Sequence, residues 1–160
     1  MSITVVYGSD QGCTRGIANR IAKKLNGKSL DIKKTKPADL EAAHLLILGS
    51  PTYGSGDLQS DWEDRIAVLD DADLSGKKVA IFGLGDQMTY PECFCDAVGI
   101  LYDRIIAKGA QVVGFTEPDG YDFSYSAALR DGLFVGLVLD EDNQSEMTDR
   151  RIEAWVGGLA

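Results

Sequence analysis

The stretch Tyr7-Gly8-Ser9-Asp10-Gln11-Gly12-Cys13-Thr14 decides how this chain folds, because it joins an apolar run to a helical pattern. The run Ile3–Tyr7 predicts a buried strand, and apolar residues at helical spacing continue after the stretch to Leu25. Backbone N–H groups at such a helix start have no partner within the helix, and the helix dipole attracts negative charge there. The stretch therefore predicts a strand, a tight loop and a helix whose first turn suits an anion.

The loop favours a monophosphate over a nucleoside triphosphate. Ser9 and Thr14 offer hydroxyl donors, Gly12 permits close approach of the backbone, and the loop contains no Lys. The triphosphate motif G-x-x-x-x-G-K-[ST] is therefore absent, and so is the dinucleotide fingerprint G-x-G-x-x-G. The alternative is an ordinary capped turn between strand and helix that binds nothing.

Length, charge and cysteine content narrow the class of protein. The chain has 160 residues, which fits one domain over residues 1–160, and its net charge of −9 argues against nucleic-acid or anionic-membrane binding. No apolar run reaches the roughly 18 residues that span a bilayer, and the first residues lack a signal-peptide pattern. Three cysteines form neither a disulfide framework nor a C-x-x-C pair. We expect a soluble protein of the reducing cytoplasm.

Short apolar runs alternate with helical patterns, which predicts a parallel sheet with helices on both faces. Strands are predicted at Ile3–Tyr7, Leu45–Gly49, Val79–Gly83 and Gln111–Phe115, with a weaker one at Ser29–Ile32. Helices are predicted at Thr14–Leu25, Asp61–Leu69, Asp96–Lys108 and Thr148–Leu159, with Thr148 as an N-cap and only a short turn at Pro37–Leu40. About 16 polar and aromatic residues after Phe115 interrupt the last strand region, which resumes at Leu133–Leu139, and a loop of that length usually has a function or a packing role.

Three loops leave the carboxyl ends of these strands, where ligands bind in open α/β sheets. They are the stretch quoted above, residues 50–59 and residues 83–93. The second and third loops each carry one large aromatic residue, Tyr53 and Tyr90, which can enclose a flat ring between them. The alternative is that both tyrosines cap the end of the sheet without touching a ligand.

Segments along the whole chain resemble the flavodoxin family. They are the first loop, Ser50–Tyr53, Gly56–Trp62, Gly83–Gln87, Asp119–Phe123, Phe134–Leu137 and Asp140–Gln144. The interrupted last strand resembles the long-chain subgroup. The resemblance, rather than the residue pattern, implies a doubly wound five-stranded parallel sheet of strand order 2-1-3-4-5, with non-covalently bound FMN between the first and third strands.

The resemblance also implies which residues contact FMN. Ser9, Asp10, Gln11, Gly12, Cys13 and Thr14 would surround the phosphate; Thr52, Tyr53, Gly54 and Ser55 would line one face of the ring; and Gly85, Asp86, Tyr90 and Cys93 would meet the other face and the pyrimidine edge. Asp86 would accept a hydrogen bond from the flavin N3–H. Tyr53 replaces a frequent Trp, and Cys93 stands where a side-chain amide often contacts the ring. No metal ligands and no catalytic residues are implied.

The implied activity is low-potential, one-electron transfer by a monomer that is not an enzyme. Acidic residues would steer it toward basic surfaces on partners such as ferredoxin/flavodoxin–NADP reductase, pyruvate oxidoreductase, photosystem I or nitrogenase reductase. The acidic residues in question are Asp57, Asp61, Glu63, Asp64, Glu92, Asp96, Asp140, Glu141 and Asp142. The alternative for this acidic face is solubility alone.

Two other functions share the same topology. A phosphorylatable receiver needs a phosphoacceptor Asp at the end of the third strand, where this chain has Gly49-Ser50-Pro51. An NAD(P)H:quinone or flavin reductase needs an open ring face and an acid–base residue, yet His44 precedes the third strand, away from the loops. Cys93 and Cys95 lie at a predicted helix start, which can lower the pKa of a thiol, although packing is the commoner role.

Overall fold

Helices separate most of the successive strands of the parallel sheet, as the sequence predicts. The structure, a computed structural model, describes residues 2–9, 12–53 and 56–159, and of Tyr53 only the backbone. The strands are β1 Ile3–Tyr7, β2 Lys28–Asp31, β3 Leu45–Tyr53, β4 Asp57–Leu58, β5 Lys78–Leu84, β6 Gln111–Val113, β7 Leu129–Arg130, β8 Leu133–Phe134 and β9 Leu137–Leu139. The α-helices are α1 Cys13–Lys24, α2 Pro37–Ala42, α3 Ser60–Asp64, α4 Ile66–Asp71, α5 Asp96–Ala107 and α6 Ser145–Leu159. Within these ranges, no helix combines the length and the apolar character that crossing a membrane requires.

The main sheet has seven strands, five of which lie parallel in the order β2-β1-β3-β5-β6, while β4 pairs antiparallel with β3 and β9 pairs with β5. This is the predicted order 2-1-3-4-5, with β5 and β6 as the fourth and fifth strands. The edge beside β5 is shared: β6 pairs with Lys78–Ala80, and β9 pairs in parallel with Phe82–Leu84. Residues 114–136, called the insertion below, separate β6 from β9 and contain the antiparallel pair of β7 and β8. The predicted interruption of the last strand is therefore confirmed.

Alternate residues of each central strand enter opposite halves of the core. Val6 belongs to an apolar cluster with Trp62 and Leu101 on one face of the sheet. Val5 belongs to a second cluster with Ile17, of α1, and Trp155, of α6, on the other face. Helices α1 and α6 therefore cover one side and α2 to α5 the other, which is the doubly wound arrangement.

Four local predictions are wrong. The segment predicted as only a short turn at Pro37–Leu40 is the six-residue helix α2. The helix predicted at Asp61–Leu69 is two short helices that meet at Arg65, whose φ of −113° and ψ of 17° are not helical. Thr148 is not an N-cap, because α6 begins at Ser145 and the Thr148 hydroxyl donates to Glu141 Oε2 over 2.7 Å. The strand predicted at Leu133–Leu139 is two short strands that pair with different partners.

Candidate functional site

A cavity of about 260 Å³ opens at the carboxyl edge of the sheet, where the sequence predicts a ligand site. The loops after β1 and β5 meet there with the last residues of β3, Pro51 and Thr52, and a further loop after β9 joins them. The lining residues are Ser9, Cys13, Thr14, Pro51, Thr52, Leu84, Gly85, Asp86, Tyr90, Glu141 and Asp142. The cavity lies beside the end of β1 and β3, the switch point of the sheet.

The start of α1 is arranged to receive an anion. Gly12 is the N-cap and has a left-handed φ of 89°, and no acidic side chain lies in the first turn. Ser9 Oγ accepts a hydrogen bond from Gly12 N over 3.0 Å, which leaves the hydroxyl proton for a ligand. Thr14 is 1% exposed and lines the cavity. The exposed Arg15 also folds back, with Nη2 3.7 Å from where a Cβ on Gly12 would lie, so a cation stands near the neutral donors.

Close packing fixes the entry to this loop. A Cβ on Gly8 would lie 2.2 Å from Gln59 Oε1 and 2.8 Å from Cδ1 of Trp62, both of which are buried residues. Trp62 Nε1 donates to the carbonyl of Gly49 over 2.8 Å, so the indole is held by the middle of β3. The loop after β1 therefore rests directly on the segment that follows β4.

The third loop is held by the side chain of Asp86. Asp86 Oδ1 accepts hydrogen bonds from Met88 N at 3.2 Å and Thr89 N at 3.0 Å, and from Asn143 Nδ2 at 2.8 Å. Burial alone would raise the pKa of Asp86, but the hydrogen bonds from Thr89, Asn143 and Met88 hold that pKa below its usual value. Tyr90 N donates to the Asp86 carbonyl over 2.8 Å, and the Tyr90 side chain, 49% exposed, lines the cavity. The carboxylate thus stays ionised near neutral pH and shapes the loop that presents Tyr90.

A fourth loop, missed from the sequence, brings Glu141 and Asp142 to the cavity. Both residues follow β9, whose carboxyl end reaches the same edge because β9 pairs in parallel with β5. The strand predicted at Leu133–Leu139 was the signal that could have revealed this loop, because a parallel strand there ends at the same edge of the sheet. Asp140, predicted among the surface acids, is instead fully buried.

The structure brings together seven of the predicted site residues and leaves the others aside or undescribed. Lining the cavity are Ser9, Cys13, Thr14, Thr52, Gly85, Asp86 and Tyr90. Gly12 caps α1 behind this lining, and the half-buried Cys93 is not among the lining residues. Asp10, Gln11, Gly54, Ser55 and the side chain of Tyr53 lie outside the described residues.

The cysteines near α5 do not have the lowered pKa that a helix start can produce. Burial, together with the charges of Asp96, Glu92 and Asp57, raises the pKa of Cys93. Burial raises the pKa of Cys95 well above its usual value, and this thiol is fully enclosed. These raised pKa values do not support the alternative of a lowered thiol pKa, and the buried Cys95 is a packing residue, the commoner role named above.

The single histidine lies at the other end of the sheet from the cavity. His44 immediately precedes β3, and its Nδ1 lies 3.1 Å from Ser2 Oγ, just before β1. The cavity, in contrast, is at the carboxyl ends of the strands. His44 is therefore not placed to transfer protons in the cavity.

Comparisons with known proteins agree with this arrangement. The sequence profile of the flavodoxin family matches residues 5–155. A flavodoxin of a Nostoc species is 46% identical over 160 residues, covering 98% of this chain and 94% of that protein, and flavodoxin 1 of Escherichia coli is 47% identical over 162 residues, covering 98% and 92%. The crystal structure of Fusobacterium nucleatum flavodoxin bound to flavin mononucleotide has a TM-score of 0.93 and 35% identity, covering 99% of this chain and 96% of that chain. The chain therefore belongs to the flavodoxin family.

Proposed function

We propose that this chain carries single electrons between redox proteins on one non-covalently bound FMN, with residues 1–160 acting as one FMN-binding domain. The observation that carries the proposal is the cavity in which the start of α1 meets the Asp86 loop. FMN supplies the redox chemistry, and the protein supplies binding, orientation and electrostatics. The chain is accordingly an electron-transfer protein rather than an enzyme.

The residues around the cavity fit the two chemically different ends of FMN. The hydroxyls of Ser9 and Thr14 and the N–H groups at the start of α1 suit a phosphate. The ring of Tyr90 suits an aromatic face, and the ionised Asp86 suits an N–H donor such as N3–H. We assign Gly12, Cys13, Thr52 and Gly85 to the same site, whereas Asp10, Gln11, Tyr53, Gly54, Ser55 and Cys93 stay predictions.

An NAD(P)H:quinone or flavin reductase is the second function considered, and it is not favoured. The relatives reported above carry the name flavodoxin, and His44 is remote from the cavity. The purified chain should therefore not oxidise NAD(P)H in the steady state unless a separate reductase is added. Turnover with NAD(P)H and a quinone alone would contradict the carrier function.

We propose that the redox partners dock through basic surfaces, because acidic side chains surround the cavity. Asp86, Glu141 and Asp142 line it, and the charges of Asp57 and Glu92 act on the nearby Cys93. Ferredoxin/flavodoxin–NADP reductase, pyruvate oxidoreductase, photosystem I and nitrogenase reductase are candidates on this basis. We place the protein as a monomer in the cytoplasm, where a reducing medium suits three cysteines that no disulfide joins.

The phosphate contact is tested by the change Thr14→Val, which keeps the shape of a buried side chain and removes its hydroxyl. Because a hydrogen bond to a charged group contributes about 1.5–3 kcal/mol, FMN affinity should fall roughly 10- to 100-fold. Riboflavin, which has no phosphate, should bind the variant and the wild type equally. Quenching of flavin fluorescence by the apoprotein measures both affinities.

Thr4→Val is the matched control, because Thr4 is also 1% exposed but lies in β1, remote from the carboxyl edge of the sheet. This variant should bind FMN as the wild type does. If the wild-type chain is isolated colourless and does not quench FMN fluorescence, the proposed function is wrong.

A further inference from the structure

We infer that Gln87 is a positioning residue of the FMN pocket, which ties the insertion to the loop that carries Asp86. The inference rests on the proposed function, because the position of this loop matters to binding only if the cavity holds FMN. Gln87 is 3% exposed and is not among the residues that line the cavity. Its effect on a ligand therefore passes through its chain neighbour Asp86.

Both ends of the Gln87 amide are bound to partners distant in sequence. The backbone N and Nε2 of Gln87 donate to Asp140 Oδ2 over 3.0 and 2.8 Å. Oε1 accepts a hydrogen bond from the backbone N of Asp122, in the insertion, over 2.6 Å. Because the side chain is buried, water could not replace these hydrogen bonds if Gln87 moved, so a shift of Gln87 would be costly.

Asp140 closes the network back onto Asp86. Its Oδ1 accepts from the backbone N of Asp142 at 3.1 Å and of Asn143 at 3.0 Å. Asn143 Nδ2 lies 2.9 Å from Asp140 Oδ2 and 2.8 Å from Asp86 Oδ1, so it bridges the two carboxylates. Asp86, Gln87, Asp140 and Asn143 thus form a closed ring of hydrogen bonds.

The insertion contacts the loop that carries Asp86 at two further points, so it holds both ends of that loop. Ser124 N and Tyr125 N donate to the carbonyl of Pro91 over 2.7 and 3.0 Å, and Phe94 N donates to the carbonyl of Tyr125 over 3.3 Å. These contacts hold the far end of the loop. Gln87, together with Asn143, holds the end of the loop next to Asp86, which lines the cavity.

The change Gln87→Met tests this role, because it keeps the length of the side chain and removes both amide contacts. In the FMN-free full chain, the amides of Met88, Thr89 and Tyr90 should exchange with deuterium about tenfold faster, since Asp86 accepts all three hydrogen bonds. Riboflavin and FMN should both bind about tenfold more weakly. This pattern differs from Thr14→Val, which should affect FMN alone.

Gln144→Met is the matched control. Gln144 Nε2 donates to the carbonyl of Gly120, so it also contacts the insertion, but from the α6 side. It should leave both the exchange of residues 88–90 and flavin affinity unchanged. Equal effects of the two substitutions, or unchanged exchange in Gln87→Met, would overturn the inference.

A second variant covers the case in which Gln87→Met does not fold. Asn143 is exposed, and Asn143→Ala removes only the bridge between Asp140 and Asp86. It should accelerate exchange at the same three amides, and unchanged exchange there would contradict the closed ring. Because exchange is measured without flavin, a wild type that fails to bind FMN would refute the proposed function while the role of Gln87 is still decided.

Discussion

Gly8 shows how a single residue determines the packing beneath the site. Because an added Cβ would lie 2.2 Å from Gln59 Oε1 and 2.8 Å from the indole of Trp62, Gly8→Ala should lower the free energy of unfolding by about 1–3 kcal/mol. Gly16→Ala is the control, since nothing lies within 4 Å of its added Cβ, and in α1 it should raise stability by about 0.5–1 kcal/mol. Urea unfolding of the FMN-free variants measures both changes. A Gly8→Ala midpoint equal to that of the wild type would refute the crowding at Gly8.

The three cysteines should differ sharply in reactivity toward a thiol reagent such as DTNB. Cys13 is exposed and lines the cavity, so it should react first, and saturating FMN should protect it. Cys93 has a raised pKa, so less of it is thiolate at neutral pH and its rate should climb as the pH rises toward that pKa. Cys95 should react only on unfolding, because it is buried. A fast phase that survives Cys13→Ser would contradict this order.

Asp140 illustrates what a sequence does not reveal about a single side chain. An aspartate among neighbouring acidic residues is usually solvated, and we predicted it on the acidic face. It is buried because Gln87, which is 53 positions away, and Asn143 supply donors for both carboxylate oxygens. Asn143 is a local donor, whereas the pairing of β9 with β5 brings Gln87 to Asp140. Ser9 and Thr14 were predictable, in contrast, because one local loop positions both.

Helix α5 begins without a capping side chain of its own, and β3 supplies one. Its N-cap, Cys95, has a left-handed φ of 54° and makes no side-chain cap, whereas Thr52 Oγ1 accepts from Ala97 N over 3.0 Å. Thr52→Val should therefore lower the stability of the FMN-free protein by about 1 kcal/mol. Thr4→Val, in the same unfolding assay, serves as the comparison for a buried threonine that caps no helix. Unfolding midpoints of Thr52→Val and wild type that coincide would show that this contact contributes nothing.

Strands and helices could be predicted where a local sequence pattern determines them. They could not be predicted where a tertiary contact determines where they end. The run at Val79–Gly83 predicts β5, because a strand that is buried on both faces consists almost entirely of apolar residues. The break between α3 and α4 was missed because the apolar spacing continues through it. Arg65 leaves the helix there, and its Nη2 donates to the carbonyl of Thr35 over 2.8 Å, 30 positions away.

The charge of the whole molecule should govern how fast it meets its partners. With a net charge of −9 and carboxylates around the cavity, electron transfer to a basic reductase should slow several-fold as ionic strength rises from about 0.01 to 0.3 M. Asp142→Asn, at the cavity, should flatten this dependence. Asp131→Asn, an exposed site in the insertion, removes the same charge away from the cavity and should not. Stopped-flow kinetics measure the rates, and equal slopes for the two variants would argue against docking at the cavity.

Because β6 and β9 share the edge of β5, the insertion between them leaves the main sheet, and a foreign segment can be inserted into it. The pair of β7 and β8 turns at Asp131 and Gly132, both exposed, beyond the contacts that the insertion makes with the Asp86 loop. Chain tips of this kind accept foreign segments without loss of the core. A fluorescent reporter or a tethered reductase inserted between these two residues should therefore leave the cofactor site of the carrier intact.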